Sequence, residues 1–585
     1  MVKHSYRVFT LAFTLMMVLA LLPLDFSRAD NSGGSLAGLP GQTEPVTSYW
    51  LDSGVIATLD PQLVTDAVSI DYIENLFLGL TNANPLTPGQ VDPELATSWT
   101  ISDDGLVWTF TVRDDVPWVR WDPAKHRASI LRMVTAGDIE YGIKRACDPR
   151  VESEYGYVVA GTVAGCADAL AIGPAQFTDA DRDLVQVSAP DDTTLQVTLN
   201  FPASYFLSQT TMWVFRPVPQ EIVEQYGDEW TRLGALTTNG PFVIDELSST
   251  RRVLLRNPHI PADLVGPGNV ERLIISTAED AGSAFDQYER DLIDQTGVPT
   301  TQVQGILADP AYAAELHQVF SPSVFYMGFA FDKSPTDNVH VRRAFSAVVD
   351  RNAFIRDVQD NLGVPMIHFT PPGMFGAPPH DQIGVGYDPD YARAQMAEAG
   401  YPDCAGFPAM EIAAFPGGVD WAVFLINALE RELDCDPNLF TIEQYAFERL
   451  IDAVSYRQDA ADRPHMWTLG WSPDYNDANN WVNDVLGCAS LHNDTKRPCS
   501  EVDDLIRAAA SESDPDTRIA QYAQIEEMFF GADGLVPVIP LNMPVGYVLH
   551  KPWFSAPVET DGIYGGEHYD YYTVDQAAQL AARGG

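Results

Sequence analysis

The sequence predicts a fold of mixed helices and strands, of the α/β or α+β class, divided into two or three domains. A chain of 585 residues is too long for a single core, and a hydrophobic fraction of 46% supports large buried cores rather than disorder. Strand and helix patterns also occur together in both halves. Trp108, Phe110 and Val112 alternate with polar residues, as in a half-buried strand. Apolar residues between 341 and 348 recur instead at helical spacing.

Residues 1–29 have the pattern of an export signal. A basic start is followed by a mostly apolar run over 9–24 and by Ser27-Arg28-Ala29, a small-x-small cleavage site. A retained N-terminal anchor is the alternative, because the apolar run is only slightly short for a membrane span. Residues 30–45 are rich in Gly, Ser and Pro and are expected to form a flexible leader. We therefore expect an exported protein that is periplasmic or associated with the cell surface.

The first half of the chain after the leader shows helix and strand patterns in turn. Ile70, Ile73 and Phe77 recur at spacings of three and four, which predicts an amphipathic helix. Asp104-Gly105 is a hairpin turn signal just before the strand at 108–112. Further elements follow in order: a helix over 135–145 capped by Thr135, a strand over 195–201 and a strand over 253–256.

From about residue 322 the pattern of elements restarts, without an internal repeat. Predicted strands cover 325–331, 410–415 and 536–542, and predicted helices cover 341–351, 391–399, 421–433 and 519–529. Residues 370–379 between these elements are rich in Pro and Gly and are expected to form a loop.

The charge balance excludes one class of partner. Lys plus Arg number 35 and Asp plus Glu number 81, which leaves a net charge of −46 and a pI of about 4.3. Such a surface repels nucleic acid and anionic lipid headgroups, so no nucleic-acid partner is expected. It also favours the approach of cationic or zwitterionic ligands. The simpler interpretation is that the charge keeps an exported protein soluble.

The chain contains six cysteines, which is an even number. Because an exported protein meets an oxidising environment, this number favours three disulfides. Their order suggests the local pairs Cys147 with Cys166, Cys404 with Cys435, and Cys488 with Cys499. Six cysteines allow 15 pairings, so order alone does not prove this connectivity. A zinc site is the alternative, but none of the spacings is C-x-x-C and no histidine pair flanks them.

Residues 467–481, WTLGWSPDYNDANNW, form the most distinctive stretch of the chain. Trp471 and Trp481 can supply flat apolar walls, and Asp474 can supply a negative charge between them. A pocket of this kind suits a ligand with an apolar body and a cationic end. The alternative is that these are core aromatic residues around a turn that contains Asp474.

No catalytic signature is present in the sequence. It contains no H-E-x-x-H, no Gly-Lys-Ser/Thr phosphate loop, no G-x-S-x-G elbow and no EF-hand loop. Neighbouring acids such as Asp103 and Asp104 sit beside turn residues, where solvation explains them. We therefore predict no enzyme, no cofactor and no metal. A secreted acidic hydrolase remains an alternative, because the two carboxylates of a glycosidase are recognised only by their separation in space.

Several strings, taken together, resemble one family over about residues 46–572. They are LDPQLVTDAVSIDYIENLFLGL at 59–80, DPELATSWTISDDGLVWTFTVRDDVPW at 92–118, VTAGDIEYGIKRACDP at 134–149, QYGDEWTRL at 225–233, TTNGPF at 237–242, HVRRAFSAVVDR at 340–351, YDPDYARAQMAEAGYPD at 387–403 and PVIPL at 537–541. In this order and spacing they resemble the periplasmic oligopeptide- and dipeptide-binding proteins of ABC importers.

The resemblance implies a two-lobed fold of the periplasmic-binding-protein type II kind, with an extra subdomain on the first lobe. The first lobe would take 46–319 and the return segment 544–585, and the second lobe would take 320–543. Such proteins close around a ligand by a hinge motion. The implied partners are a peptide ligand and the membrane permease of an ABC importer, and the implied state is a monomer.

The resemblance also implies ligand-binding residues. WSPDYNDAN resembles the family segment whose Asp pairs with the α-ammonium of the ligand, and the matching residue is Asp474. Trp471 and Tyr475 would then wall the first pocket, and Asn239 lies in the string that matches an Asn-Gly turn of the family.

Two features depart from the family pattern. The stretch Arg120–Met133 looks like an insertion where shorter loops are usual, and Pro473 precedes Asp474. The family scaffold also binds other solutes, so an oligosaccharide is the alternative ligand, which the aromatic cluster would suit equally.

Overall fold

The computed structural model describes residues 44–52, 54–278, 280–490, 492–558, 560–562 and 565–584. The predicted export signal and residues 30–43 of the predicted leader lie outside these ranges. Within them, no helix combines the length and the apolar character that a membrane crossing requires.

We propose the two-lobe division for the body of the chain, with a first lobe of 46–319 and 544–585 and a second lobe of 320–543. The hydrophobic cores support this division. One large buried cluster runs from Leu59 to Ile275 and continues through Trp553 to Val574. Two other clusters contain only buried residues between 324 and 543. Tyr475 and Ala510 are the exceptions, since these two second-lobe residues pack into the first-lobe core.

In the described part of the chain, the first lobe contains three sheets of three or more strands. The first has the strand order Thr47–Asp52, Arg272–Thr277, Arg251–Arg256, Phe242–Leu247. The second has the order Ala96–Ile101, Val107–Val112, Thr194–Thr198, Val187–Asp191. The third has the order Thr237–Thr238, Pro117–Asp122, Arg127–Met133. The second sheet fits the extra subdomain that the family resemblance implies.

The second lobe is built on an eight-stranded sheet. Its main path runs Gln295–Gly297, Val538–His550, Val324–Phe329, Met466–Trp471, Met410–Ala414, Phe440–Gln444, and Leu316–Phe320 and Gly363–Pro365 also pair with Val538–His550. The long strand Val538–His550 pairs with strands on both sides of residue 320, and the predicted lobe boundary at 543/544 falls inside it. This sheet therefore joins the two lobes.

Helices and two short ladders complete the fold. In chain order the helices are Ala67–Leu76, Ala136–Ala146, Gly156–Thr162, Cys166–Ile172, Phe206–Gln209, Gln220–Tyr226, Ala281–Glu289, Val303–Ala308, Val339–Ala347, Arg351–Val358, Pro389–Glu398, Val419–Leu433, Phe447–Val454, Asn479–Val482, Glu501–Ser511, Pro515–Phe530 and Gln576–Ala582. The two-stranded ladders are Thr81–Ala83 with Val91–Pro93, and Phe554–Ser555 with Thr573–Val574.

Local signals explain why several elements begin where they do. Thr135 is the N-cap of Ala136–Ala146, and Asp138 Oδ2 accepts the Thr135 backbone N–H at 2.9 Å. In the strand Val107–Val112, Trp108, Phe110 and Val112 are buried, as their alternation predicts. The Arg120–Met133 stretch is a hairpin rather than a long loop, since residues 123–126 form a turn between the strands Pro117–Asp122 and Arg127–Met133.

The structure contains three disulfides, and they are the pairs suggested by cysteine order. They join Cys147 with Cys166, Cys404 with Cys435, and Cys488 with Cys499. Each closes a short loop within one lobe, so none of them restrains the lobes relative to each other.

Candidate functional site

The distinctive stretch lies where the second lobe meets the first. The strand Met466–Trp471 pairs with Val324–Phe329 inside the main sheet and ends at Trp471. A turn then carries Asp474 and Tyr475 to the short helix Asn479–Val482. The strand therefore delivers these side chains to the edge of the lobe, which is a common position for a ligand site in an α/β fold.

Asp474 is a buried carboxyl group held by neutral hydrogen-bond donors. Its Oδ2 accepts from the Tyr157 hydroxyl at 2.9 Å and from Asn480 Nδ2 at 3.1 Å. Burial raises the pKa of Asp474 to about 6, although these two hydrogen bonds oppose the rise. No Lys or Arg is among its hydrogen-bond or ion-pair partners in the described ranges. A cationic group of a ligand would therefore stabilise the ionised form.

Tyr475 contacts the first lobe and a second carboxyl group. Its ring stacks on that of Tyr205, with centroids 5.3 Å apart and planes 13° from parallel. Its hydroxyl donates to Asp484 Oδ2 at 2.7 Å. Asn480 Nδ2 donates at 3.1 Å to Oδ2 of both Asp474 and Asp484. Asn480 therefore links the two carboxyl groups.

The two tryptophans of the stretch have different positions. Trp471 donates its indole N–H to Asn480 Oδ1 at 3.1 Å, and its ring lies 5.2 Å from that of His492. Trp481 is fully buried in the second-lobe core, edge-on to Phe369 with ring centroids 5.1 Å apart. The expectation that Trp481 walls a pocket is therefore wrong, because the short helix turns its side chain inward.

A cavity of about 490 Å³ lies between the lobes beside this group. Its lining is mostly apolar and comes from both lobes. The first lobe contributes Tyr157, Phe201 and Tyr205 to this lining, and the second lobe contributes Tyr475, Asp484 and His492. Tyr475 is the one predicted ligand-binding residue on this lining, whereas Asp474 and Trp471 reach it only through side chains that they contact.

Asn239 belongs to a different contact network. It is fully buried in the first lobe, and its Oδ1 accepts the backbone N–H of Leu78 at 3.1 Å. This bond anchors the chain just after the helix Ala67–Leu76. Asn239 is not on the lining of the interlobe cavity, so its predicted contact with a ligand stays a prediction.

Sequence reasoning missed four residues that complete the group: Tyr157, Asn480, Asp484 and His492. Asn480 and Asp484 are four residues apart, a spacing that places side chains on one helical face, so a signal was available. Tyr157 comes from the helix Gly156–Thr162, more than 300 residues earlier, and no local pattern connects it to Asp474.

The zinc alternative has one candidate cluster in the described ranges, formed by Cys488, Cys499 and Asp503. Zinc binds cysteine as the thiolate. Because the two sulfur atoms are joined in a disulfide, these cysteines cannot act as thiolate ligands.

Comparison with known proteins identifies the family. The family model described as "Bacterial extracellular solute-binding proteins, family 5 Middle" matches residues 90–493. A probable deoxycholate-binding periplasmic protein, YgiS of Escherichia coli, is 28% identical over 85% of this chain and 89% of its own. The dipeptide-binding protein DppE of Bacillus subtilis is 24% identical over 89% and 92%.

A solved structure with the same fold is the unliganded open form of the periplasmic murein tripeptide binding protein MppA. Its TM-score is 0.73 and its identity 23%, over 91% of this chain and 98% of that one. This match, together with the mixed sheets described above, confirms the predicted fold class.

The matched family consists of substrate-binding proteins rather than enzymes. This confirms the prediction that the chain is not an enzyme, and the hydrolase alternative is wrong. The family model covers more than half of the chain, and the relatives align over most of it. The chain belongs to the bacterial extracellular solute-binding proteins of family 5.

Proposed function

We propose that this protein captures peptides with a free α-amino group between its lobes and delivers them to the permease of an ABC importer. The observation that carries the proposal is the buried Asp474 carboxyl group at the lobe junction, which Tyr157 and Asn480 hold without a cationic partner among the described residues. An exported, monomeric protein of the periplasm or cell surface is part of the proposal. Relatives named for dipeptides and murein peptides support it.

The physical reason is the distribution of charge along a peptide. The main chain of an extended peptide can pair with strand edges whatever its side chains are. The only positive charge that every peptide carries, whatever its side chains are, is the ammonium group at its amino terminus. One buried carboxylate can therefore select a free amine, because an uncompensated charge in a site of low polarity is costly.

Calorimetry with a short peptide and its N-acetylated form tests this function. Asp474→Asn should weaken binding of the free-amine peptide by about 2–5 kcal/mol, because the ligand ammonium is buried without its counter-charge. The amide oxygen can still accept from the Tyr157 hydroxyl, so the loop should keep its geometry. Asp357→Asn is the matched control, since Asp357 is an exposed acid paired with Arg356.

The affinity for the acetylated peptide shows whether Asp474→Asn removes recognition of the ammonium group or disrupts the binding site as a whole. Wild type should bind it weakly, and Asp474→Asn should change that affinity little. Equal losses for both peptides would contradict the ammonium assignment.

A bile acid is the ligand class suggested by the name of YgiS, and the largely apolar cavity favours it. A bile acid carries a carboxylate, however, and would meet Asp474 and Asp484 with like charge. We expect deoxycholate to bind less tightly than a free-amine peptide. If the ligand were an oligosaccharide, Trp471→Ala would weaken its binding more than Asp474→Asn.

A further inference from the structure

Asp484 is a second acid at the site, and it faces the cavity directly. It lines the space between the lobes, whereas Asp474 is not on this lining and is hydrogen-bonded to the lining residue Tyr157. Its Oδ2 accepts from the Tyr475 hydroxyl at 2.7 Å and from Asn480 Nδ2 at 3.1 Å, and its Oδ1 accepts from Asn483 Nδ2 at 2.8 Å. All three donors are neutral, so the protein solvates this carboxylate without balancing its charge.

Among the residues that the structure describes, the charged groups on the cavity lining do not balance the charge of Asp484. His492 also lines the cavity, but burial lowers the pKa of its imidazole below the ordinary value, so it is neutral near pH 7. Arg507 also lines the cavity, and it is exposed and paired with Asp504 on the same helix. The aromatic rings of Tyr157, Tyr205 and Tyr475 also line the cavity. Burial raises the pKa of Asp484, so a cationic ligand group beside it would stabilise its ionised form.

The distance between the carboxyl groups of Asp474 and Asp484 suits a ligand residue that carries two positive charges. Both Oδ2 atoms lie 3.1 Å from Asn480 Nδ2, so their separation is at most twice that distance. An amino-terminal lysine or arginine carries an α-ammonium and a side-chain cation joined by a flexible aliphatic stem. The stem can lie along aromatic rings while the charged ends reach the two carboxylates.

We infer that Asp484 makes the site selective for peptides whose first residue is lysine or arginine, with the side-chain cation on Asp484 and the α-ammonium on Asp474. The inference rests on the proposed function, because it places the peptide amino terminus at Asp474. The first side chain then enters the cavity, since Tyr157 and Tyr475, which flank Asp474, form its wall.

The test uses tripeptides that differ only in their first residue: Lys-Ala-Ala, norleucine-Ala-Ala and Glu-Ala-Ala. Norleucine keeps the aliphatic stem and lacks the terminal cation. Wild type should bind the lysine peptide at least about tenfold more tightly than the norleucine peptide, and the glutamate peptide most weakly. Asp484→Asn should reduce the lysine preference, which is the ratio of the lysine and norleucine affinities, to within about threefold.

Two controls separate a local ion pair from the overall charge of the protein. A net charge of −46 attracts any cationic peptide, but this attraction is screened by salt. The lysine preference should therefore persist at high salt in wild type and in Asp357→Asn. Asp484→Glu, which restores the charge, should recover part of the preference.

The outcomes distinguish the two proposals. If no free-amine peptide binds wild type, the proposed function fails and the inference fails with it. If lysine and norleucine peptides bind wild type equally at high salt, the inference is overturned while the proposed function stands. This comparison needs only wild type, so it remains decisive even if Asp484→Asn does not fold.

Discussion

At the scale of single residues, the ionisation of Asp474 depends on a hydroxyl group from the other lobe. The hydrogen bond from Tyr157 favours the charged carboxylate and so lowers its pKa, against the larger effect of burial. An ammonium ligand binds the ionised form. Affinity for norleucine-Ala-Ala should therefore fall as the pH decreases through about 6. It should also fall towards pH 8 and above, where the α-amino group of the peptide loses its own proton.

Tyr157→Phe removes this donor, so the pKa of Asp474 should rise and the loss of affinity should begin at higher pH. Calorimetry from pH 5 to 8 would measure the shift. Tyr155→Phe is the matched control, because Tyr155 neighbours Tyr157, with ring centroids 5.9 Å apart, and is not a hydrogen-bond partner of Asp474 within the described ranges. An unchanged profile in Tyr157→Phe would contradict the role of this hydroxyl. Because Asn480 donates a hydrogen bond to both Asp474 and Asp484, the two carboxyl groups titrate together. The midpoint of the affinity profile is therefore an apparent pKa of the pair.

At the scale of elements, the disulfide Cys488–Cys499 holds a segment that forms part of the cavity wall. Ala489, Ser490 and His492 of this segment line the cavity. Replacing both cysteines with serine should weaken peptide binding about tenfold, because the wall residues lose their fixed positions, a change of about 1.4 kcal/mol. Free energy of unfolding should fall by about 3 kcal/mol, as expected for a short disulfide loop.

The disulfide Cys404–Cys435 provides the comparison. Its cysteines pack in the second-lobe core and are not on the cavity lining. The double serine variant should lose a similar free energy of unfolding and keep its peptide affinity. Denaturant unfolding and calorimetry on both variants measure the two effects, and equal losses of affinity would show that the 488–499 segment has no special role.

At the scale of the whole molecule, buried titratable groups link stability to pH. Burial raises the pKa of Glu94 to about 8. Burial alone would lower the pKa of His568, but the charges of Asp561 and Glu74 raise it to about 10. In both cases the folded state binds a proton more tightly than the unfolded state. The free energy of unfolding should therefore decrease between pH 6.5 and 8, by about 3 kcal/mol.

Two other groups limit this prediction to that pH range. Burial lowers the pKa of His465 to about 4 and of His550 to about 3, so they act with the opposite sign, but mainly below pH 6.5. Urea unfolding at pH 6.5 and 8 tests the prediction. Glu94→Gln should flatten the dependence, because its side-chain oxygen can still accept from the Gly79 N–H. Stability that rises towards pH 8 would contradict the argument.

Much of the fold follows from local sequence. The alternation at Trp108 to Val112 and the Thr135 cap predict elements that the structure contains, because burial of alternate side chains and satisfaction of helix-end N–H groups are short-range requirements. The Arg120–Met133 hairpin was missed. Its second strand lies at a sheet edge and is largely exposed, so it lacks the alternation that marks a half-buried strand.

The sequence by itself determined the family, the mixed sheets and the negative charge at Asp474, since these depend on motifs and residue types. Only the tertiary structure decided that Tyr157 donates to Asp474, that Trp481 lies in the core and that Asp484 faces the cavity. Periodicity along the chain shows which side of an element is apolar. It does not show what that side meets, because the packing of two lobes brings together residues more than 300 positions apart.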